Sequence, residues 1–385
     1  MQHRVLATLA GLLLAGCAGL SEPPQESQPE APPALTPIDW TEAPGWSADD
    51  PAPALAAFRT VCRRFARQPP DRPLSKTWPE LGDAGDWAAA CAEAADVSQG
   101  NERAFIERRF QAYRVGPPGT LGLFTGYYEP ESPGARTQGG ANQTPLYRKP
   151  DDLIVADLGA FSDDFAGKTI LGRVEGGRLK PYHARADVAG GALAGRGLEL
   201  VWLADPVDAF FLEIQGSGRI RFADGGAMRI GYAGKNGRAY RAIGRDLIER
   251  GAIRREDMSM QAIRQWLADN PSEAQAVMNL NRSVVFFEER TGPGPIGAAG
   301  TALTPERSLA VDPKFVGLGA LVYLDVPHPL PDAPPIRRLT VAEDVGGAIK
   351  GAPRGDLFWG TGAAAGEMAG RMASQGRYIL LAPRR

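Results

Sequence analysis

The sequence predicts a mainly β body with some α, in the α+β class, and a barrel in its C-terminal third. Three observations point there. Strand-like apolar runs in the later part are short and are separated by glycine and aspartate turns, a pattern of closed sheets rather than open ones. Helical periodicity is confined to the start of the body and a few later segments. The body beyond residue 53 runs to roughly 330 residues, more than one core usually holds, so one large or two medium domains are expected. Composition is ordinary, at 43% hydrophobic and 23% charged, and the formal net charge of −2 argues against nucleic acid or another polyanion as main partner.

The first residues read as a leader. Arg4 precedes an almost unbroken apolar run, Val5 to Ala15. At about a dozen residues that run is too short for a ~30 Å hydrocarbon core, which a helix of ~20 residues crosses. A positive start, a short apolar middle and small residues make residues 1–16 a secretory signal. Leu14-Ala15-Gly16-Cys17 resembles the bacterial lipobox, with the Cys17 sulfur as acyl acceptor; the alternative is an ordinary signal peptide with an incidental cysteine. Ala18 follows with no aspartate beside it, and resemblance to Gram-negative lipoproteins then implies an outer-membrane lipoprotein facing the periplasm. Residues 17–53 are expected to form a semi-rigid tether, because nine prolines lie between Ser21 and Pro53.

In the body, Leu55, Phe58, Val61, Cys62 and Phe65 recur at helical spacing, stopped by Pro69-Pro70. Asp86 to Ala95 is a second helix, with Trp87 and Cys91 four apart. Asn101 can cap a third, carrying Phe105, Ile106, Phe110 and Tyr113. Cys62 and Cys91 either pair or remain two buried thiols. Strand-like runs follow at Leu198–Leu203, Phe210–Ile214 and Arg219–Phe222. Two helices come next, Arg238–Arg250, closed by Gly251, and Met258–Asp269, before a strand-like run at Val284–Glu289. The last region reads as short strands at Leu321–Val326, Leu339–Glu343, Asp356–Trp359 and Tyr378–Leu381, with a helix at Ala363–Ala373.

Several chemistries are disfavoured. Histidine occurs only at 3, 183 and 328, neither remaining cysteine sits in a nucleophile-like context, and HExxH, CxxC and a phosphate-binding glycine loop are missing from the sequence. No metal is therefore expected. Carboxylates, amides and aromatics beside glycine remain, a combination that suits sugars. The densest such stretch is Ala342 to Gly362, in which Asp344 and Asp356 bracket a glycine-rich loop; Asp312 lies upstream in Ala310 to Gly319. By spacing alone the better reading of these aspartates is as turn residues that bind their own backbone.

In these contexts Asp312, Asp344 and Asp356 resemble the three-aspartate domain of bacterial cell-wall enzymes. Phe124–Pro130, Gln215–Gly218, Gly231–Tyr240, Asp257–Arg264 and Asn279–Phe287 extend the likeness, which together resembles the membrane-bound lytic murein transglycosylase A family over Leu121 to Pro383. The resemblance implies a double-psi β-barrel built from N- and C-terminal parts, residues 54–130 with a helical lead-in and 291–385. It implies a smaller β-rich domain inserted at residues 131–290, and a groove between the two. It implies a reaction, cleavage of the β-1,4 bond between N-acetylmuramic acid and N-acetylglucosamine with a 1,6-anhydromuramic end as product, and no cofactor. Asp356 is the implied catalytic acid and Asp344 its auxiliary. The implied substrate contacts are Thr125, Tyr127, Tyr128, Gln215, Ser217, Ala298 and Asp312. Each tyrosine serves equally as a core aromatic, and Asp312 better suits the holding of a barrel turn. Lys235 and Arg238 are candidates for peptide or lactyl carboxylates, with a solvated surface as the plainer account. Implied partners are peptidoglycan glycan strands, the membrane through lipid on Cys17, and cell-wall synthesis or division complexes. The loop around Ala352–Gly355 is one residue longer than the family pattern.

Overall fold

A computed structural model describes residues 32–292 and 294–385. The leader and Cys17 lie outside the described residues. Among the described residues no helix is long and apolar enough to cross a membrane.

The expected tether is folded from Leu35 onward, which corrects its C-terminal boundary. β1 (Leu35–Ile38) pairs antiparallel with β2 (Phe110–Val115) at a sheet edge, where proline is tolerated. Trp40 stacks on Trp46 at 4.5 Å, and Trp46 meets Tyr323 edge-on at 5.4 Å. Those aromatic anchors give this proline-rich stretch the apolar burial that a free spacer lacks.

α1 (Ala52–Phe65) buries Leu55, Phe58, Val61 and Phe65 on one face. α2 (Ala84–Ala95) starts at Asp83, whose side chain accepts from the Asp86 N–H. A disulfide joins Cys62 to Cys91 across the two helices. α3 (Glu102–Arg109) ends sooner than its periodicity predicts. Phe110 and Ala112 are buried at strand spacing, and β2 takes over.

β3 (Gly122–Glu129) joins the barrel, and the chain then leaves it for a long excursion. β4 (Glu131–Ala135) and β5 (Thr144–Tyr147) come first. β6 (Ile154–Asp157), β7 (Thr169–Glu175) and β8 (Arg178–Pro181) form a separate antiparallel sheet. α4 (Arg185–Ala189), β9 (Glu199–Leu203), α5 (Pro206–Gln215), β10 (Ser217–Phe222) and β11 (Ala227–Lys235) follow. α6 (Ile243–Glu249), α7 (Met260–Asp269), α8 (Pro271–Leu280) and β12 (Val285–Arg290) end the excursion. Its larger sheet runs β12-β11-β10-β4-β9-β5. The expected strand at Phe210–Ile214 is helix α5. Asp205 accepts from the Val207 N–H, and Pro206 occupies the first turn. A short apolar run fits either state, and here the cap decides.

The chain returns with β13 (Ser308–Val311), β14 (Leu321–Val326), β15 (Ile336–Val345), β16 (Gly355–Thr361), α9 (Ala363–Arg371) and β17 (Ala373–Pro383). Their order is β17-β14-β15-β13-β16-β3, and β3 also pairs with β17, so six strands close a ring. β13–β15 and β16–β3 are parallel and the other four pairings antiparallel. Leu309, Leu321, Leu324, Val341, Leu357, Tyr378 and Leu380 belong to its core, which also takes in α1 and α2.

Candidate functional site

The register of the barrel builds the site. Asp356 on β16 lies opposite Thr125 on β3 and opposite Ala310 on β13. Ala310 also lies opposite Asp344 on β15, and Thr125 opposite Ala373 on β17. Directly opposed strand residues share a face. Asp344, Ala310, Asp356, Thr125 and Ala373 therefore form one row across five strands. Leu357, next to Asp356 on β16, points the other way, into the core.

A β-bulge completes the row. The β13–β15 register shifts between Leu309 and Ala310, so that Leu309 pairs with Ala342 and Ala310 with Asp344. Glu343 is the residue passed over. Without the shift, Ala310 would face Glu343, and Asp344 would drop out of the row. Glu343 is buried instead, where Thr301 and Ser308 hydroxyls donate to it at 2.7 and 2.5 Å. Burial pushes its carboxyl above the usual range.

Asp356 is partly buried. The Thr125 hydroxyl donates to its Oδ1 at 2.6 Å, and Thr125 Oγ1 accepts from Arg354 Nη2 at 2.9 Å. Arg354 also donates to the carbonyls of Leu123, at 3.1 Å, and Gly355. Its loop is packed tightly on β3, since a Cβ on Gly122 would stand 1.7 Å from the Pro353 carbonyl oxygen. Burial pushes the Asp356 pKa up to about 6; the Thr125 hydrogen bond and the Arg354 charge pull against it, and Asp344 adds to the rise.

Asp344 Oδ1 accepts from the Ala298 and Val345 N–H groups at 3.0 and 2.9 Å, and Oδ2 accepts from the Tyr127 hydroxyl at 3.1 Å. Burial raises its pKa, and these donors oppose the rise. Burial lifts the Tyr127 phenol well above its usual value, helped by Asp344 and Asp356. The structure thus gathers Asp356, Asp344, Thr125, Tyr127 and Ala298. Tyr240, on the connection between β11 and α6, stands close enough for the Asp356 charge to raise its phenol, although burial is the larger cause.

Four expected substrate contacts are placed elsewhere. Asp312 is buried, and its carboxyl accepts from the N–H groups of Lys314 and Gly351 at 3.1 and 2.9 Å. It ties the turn after β13 to the glycine-rich loop. Tyr128 is a core aromatic, only 8% exposed. The Gln215 side-chain oxygen accepts from the Tyr128 N–H at 3.1 Å, so it braces β3 from the insert. Ser217 begins β10 opposite Gly231 and is partly exposed.

Sequence reasoning missed Arg354, Tyr240 and Glu343. Arg354 showed only as a lengthened loop, and Tyr240 only as the end of a motif. Among the described residues no group of His, Cys, Asp and Glu could hold a metal ion.

Known families and proteins resemble this chain over much of its length. Residues 123–288 match a family described as the MltA specific insert domain, and residues 307–382 match the 3D domain. Membrane-bound lytic murein transglycosylase A of Escherichia coli (strain K12) is 36% identical over 265 residues, which is 67% of this chain and 65% of that protein. The chain thus spans less than two thirds of the length of that curated relative. A crystal structure of membrane-bound lytic murein transglycosylase from Agrobacterium tumefaciens superposes with a TM-score of 0.83 at 34% identity, covering 91% of this chain and 98% of that one. E. coli MltA with bound chitohexaose gives a TM-score of 0.64 at 29% identity, with 93% of each chain covered.

Proposed function

The chain belongs to the membrane-bound lytic murein transglycosylase A family, and from that premise we propose that it cuts peptidoglycan glycan strands. The bond is the β-1,4 link between N-acetylmuramic acid and N-acetylglucosamine, and the product is a 1,6-anhydromuramic end. The observation that carries this reading is the state of Asp356. Its carboxyl is buried enough to hold a proton up to a pH of about 6, and the Thr125 hydroxyl engages one oxygen, Oδ1. The other oxygen is then the one to carry the proton.

One carboxyl group suffices when the nucleophile belongs to the substrate. Asp356 first protonates the leaving glycosidic oxygen as the C1–O bond breaks. The same carboxylate then takes the proton from the sugar's own C6 hydroxyl as O6 bonds to C1. Each proton is accounted for, and the carboxyl is restored. The C6 hydroxyl is tethered beside C1, so its effective concentration is high. Asp344, fixed by Tyr127, Ala298 and Val345, supplies negative charge near the positive charge that grows on the sugar ring. A hydrolase of the ordinary kind uses a second carboxyl to activate water or attack carbon; Asp344 has donors on both oxygens, which favours a supporting role.

Digestion of purified sacculi followed by mass spectrometry tests the reading. Wild type yields anhydro ends; reducing ends would instead mean a water-using hydrolase. Asp356→Asn keeps the fold and lowers turnover on the order of 10³-fold. Near-normal release by that variant would remove Asp356 from the acid role. The relatives named membrane-bound, together with the leader and Cys17, support a lipid-anchored protein of the outer membrane that faces the periplasm.

A further inference from the structure

The insert carries an open cleft of about 730 Å³ that none of the chemistry above uses. Its walls come from β7, β8 with the segment after it, α4 and the connection after β11. Arg173 and Arg238 supply its cationic side chains and Asp187 its carboxylate, while Gly190 and Gly191 leave one wall low. Tyr182 forms a rigid floor. It is fully buried, its hydroxyl donates to Asp152 at 2.7 Å, and burial pushes its pKa up to about 12.

Charge in this cleft is unbalanced. Asp187 is engaged by the Ala184 N–H at 2.7 Å. Arg173 bonds exposed Glu175 at 2.7 Å through Nη2, yet its Nε is buried with no acceptor among the described residues. Arg238 donates through Nε to the Tyr182 carbonyl at 3.0 Å, which anchors the base of its guanidinium. Burial and the nearby Arg173 charge hold His183 below its usual pKa, so it adds hydrogen bonding rather than charge at neutral pH. Two guanidinium groups at a cleft wall suit a planar carboxylate, which they can grip through paired N–H donors.

The cleft is joined by a short length of chain to the candidate site, because Tyr240 lies against the glycine-rich loop after Asp344, its Cβ 3.7 Å from where a Cβ on Gly347 would stand. Arg238 and Tyr240 lie two residues apart on one connection, within ~7 Å of chain, and Tyr240 feels the charge of Asp356. A peptide arm leaving the muramyl sugar spans a further ~10 Å over three extended residues. We propose that this cleft receives a carboxylate of the peptide arm that branches from the muramyl sugar, held by Arg238 and Arg173. The proposal rests on the transglycosylase reading and adds to it a second recognition element, separate from the sugar contacts.

The test is steady-state kinetics on three soluble substrates: uncrosslinked strands bearing peptides, the same strands with the peptide carboxylates amidated, and strands stripped of peptide by an amidase. Wild type should lose at least about fivefold in kcat/KM on amidation, mostly through KM, as expected when a charged pairing is removed. Arg238→Gln and Arg173→Gln should each bring the ratio between the first two substrates close to one, and Arg238→Lys should restore part of it. Thermal melts establish that each variant is folded. Equal wild-type kcat/KM on the first two substrates overturns the proposal, as does a full ratio retained by folded Arg238→Gln. If wild type yields anhydro ends from none of the three, the transglycosylase reading itself falls, and this proposal with it.

Discussion

Thr125 has one hydroxyl proton and two partners, and that decides how Asp356 is tuned. Its oxygen accepts from Arg354, so its only proton goes to Asp356 Oδ1. Burial sets the acidity of Asp356 first; Thr125 and Arg354 then pull its pKa down and Asp344 pushes it up, with the Tyr127 and Tyr240 phenols also close. On the proposed mechanism Asp356 acts first as an acid, so kcat/KM should fall as pH rises through about 6. Arg354 favours the ionised carboxylate, so Arg354→Gln should raise the Asp356 pKa and carry that alkaline limb upward, by an amount on the order of one pH unit. A pH–rate profile reads this directly, and an unmoved limb would show that Arg354 only holds its loop. Little of this was legible from spacing. Asp344 and Asp356 looked like turn residues until a family likeness singled them out, and Asp312 proved to be one. The bulge that admits Asp344 to the row leaves no mark in the sequence, because it arises from pairing with a strand some thirty residues away.

Among the elements, helices were the more readable. α1 and α2 follow from apolar spacing and an N-terminal cap, signals held within a dozen residues or so. α5 was misread because its apolar run lacks polar alternation, and only Asp205-Pro206 distinguishes it from a strand. The α1–α2 pair gains its constraint from Cys62–Cys91, whose residues stand 29 apart in sequence. A loop of that length implies that the bridge stabilises the fold by roughly 3–4 kcal/mol. Urea unfolding of the Cys62→Ser/Cys91→Ser protein should show a midpoint lowered to match. An unchanged midpoint would mean that packing of Phe58, Phe65 and Trp87 already holds the pair.

At the level of the whole molecule, the insert is tied to the barrel by charge as well as by chain. Glu129, at the end of β3, is 0% exposed; Arg229 of β11 reaches its Oε1 at 2.8 Å, and Thr361 donates to Oε2 at 2.9 Å. Arg229→Met would strand a buried carboxylate and should cost roughly 3–5 kcal/mol in chemical denaturation. Adding Glu129→Gln should recover part of that loss, and no recovery would assign the damage to lost packing instead. The barrel itself was out of reach of local pattern, since the Thr125–Asp356 bond spans 231 positions. That separation bears on how the ring closes. The ring is shut by β17 against both β14 and β3, and β17 follows every other strand of the ring in sequence. Without β17, β3 and β14 each present a bare edge, and nothing seals the strand that holds Thr125. A chain cut short before Ala373 would therefore display sticky, unpaired strands instead of a closed ring.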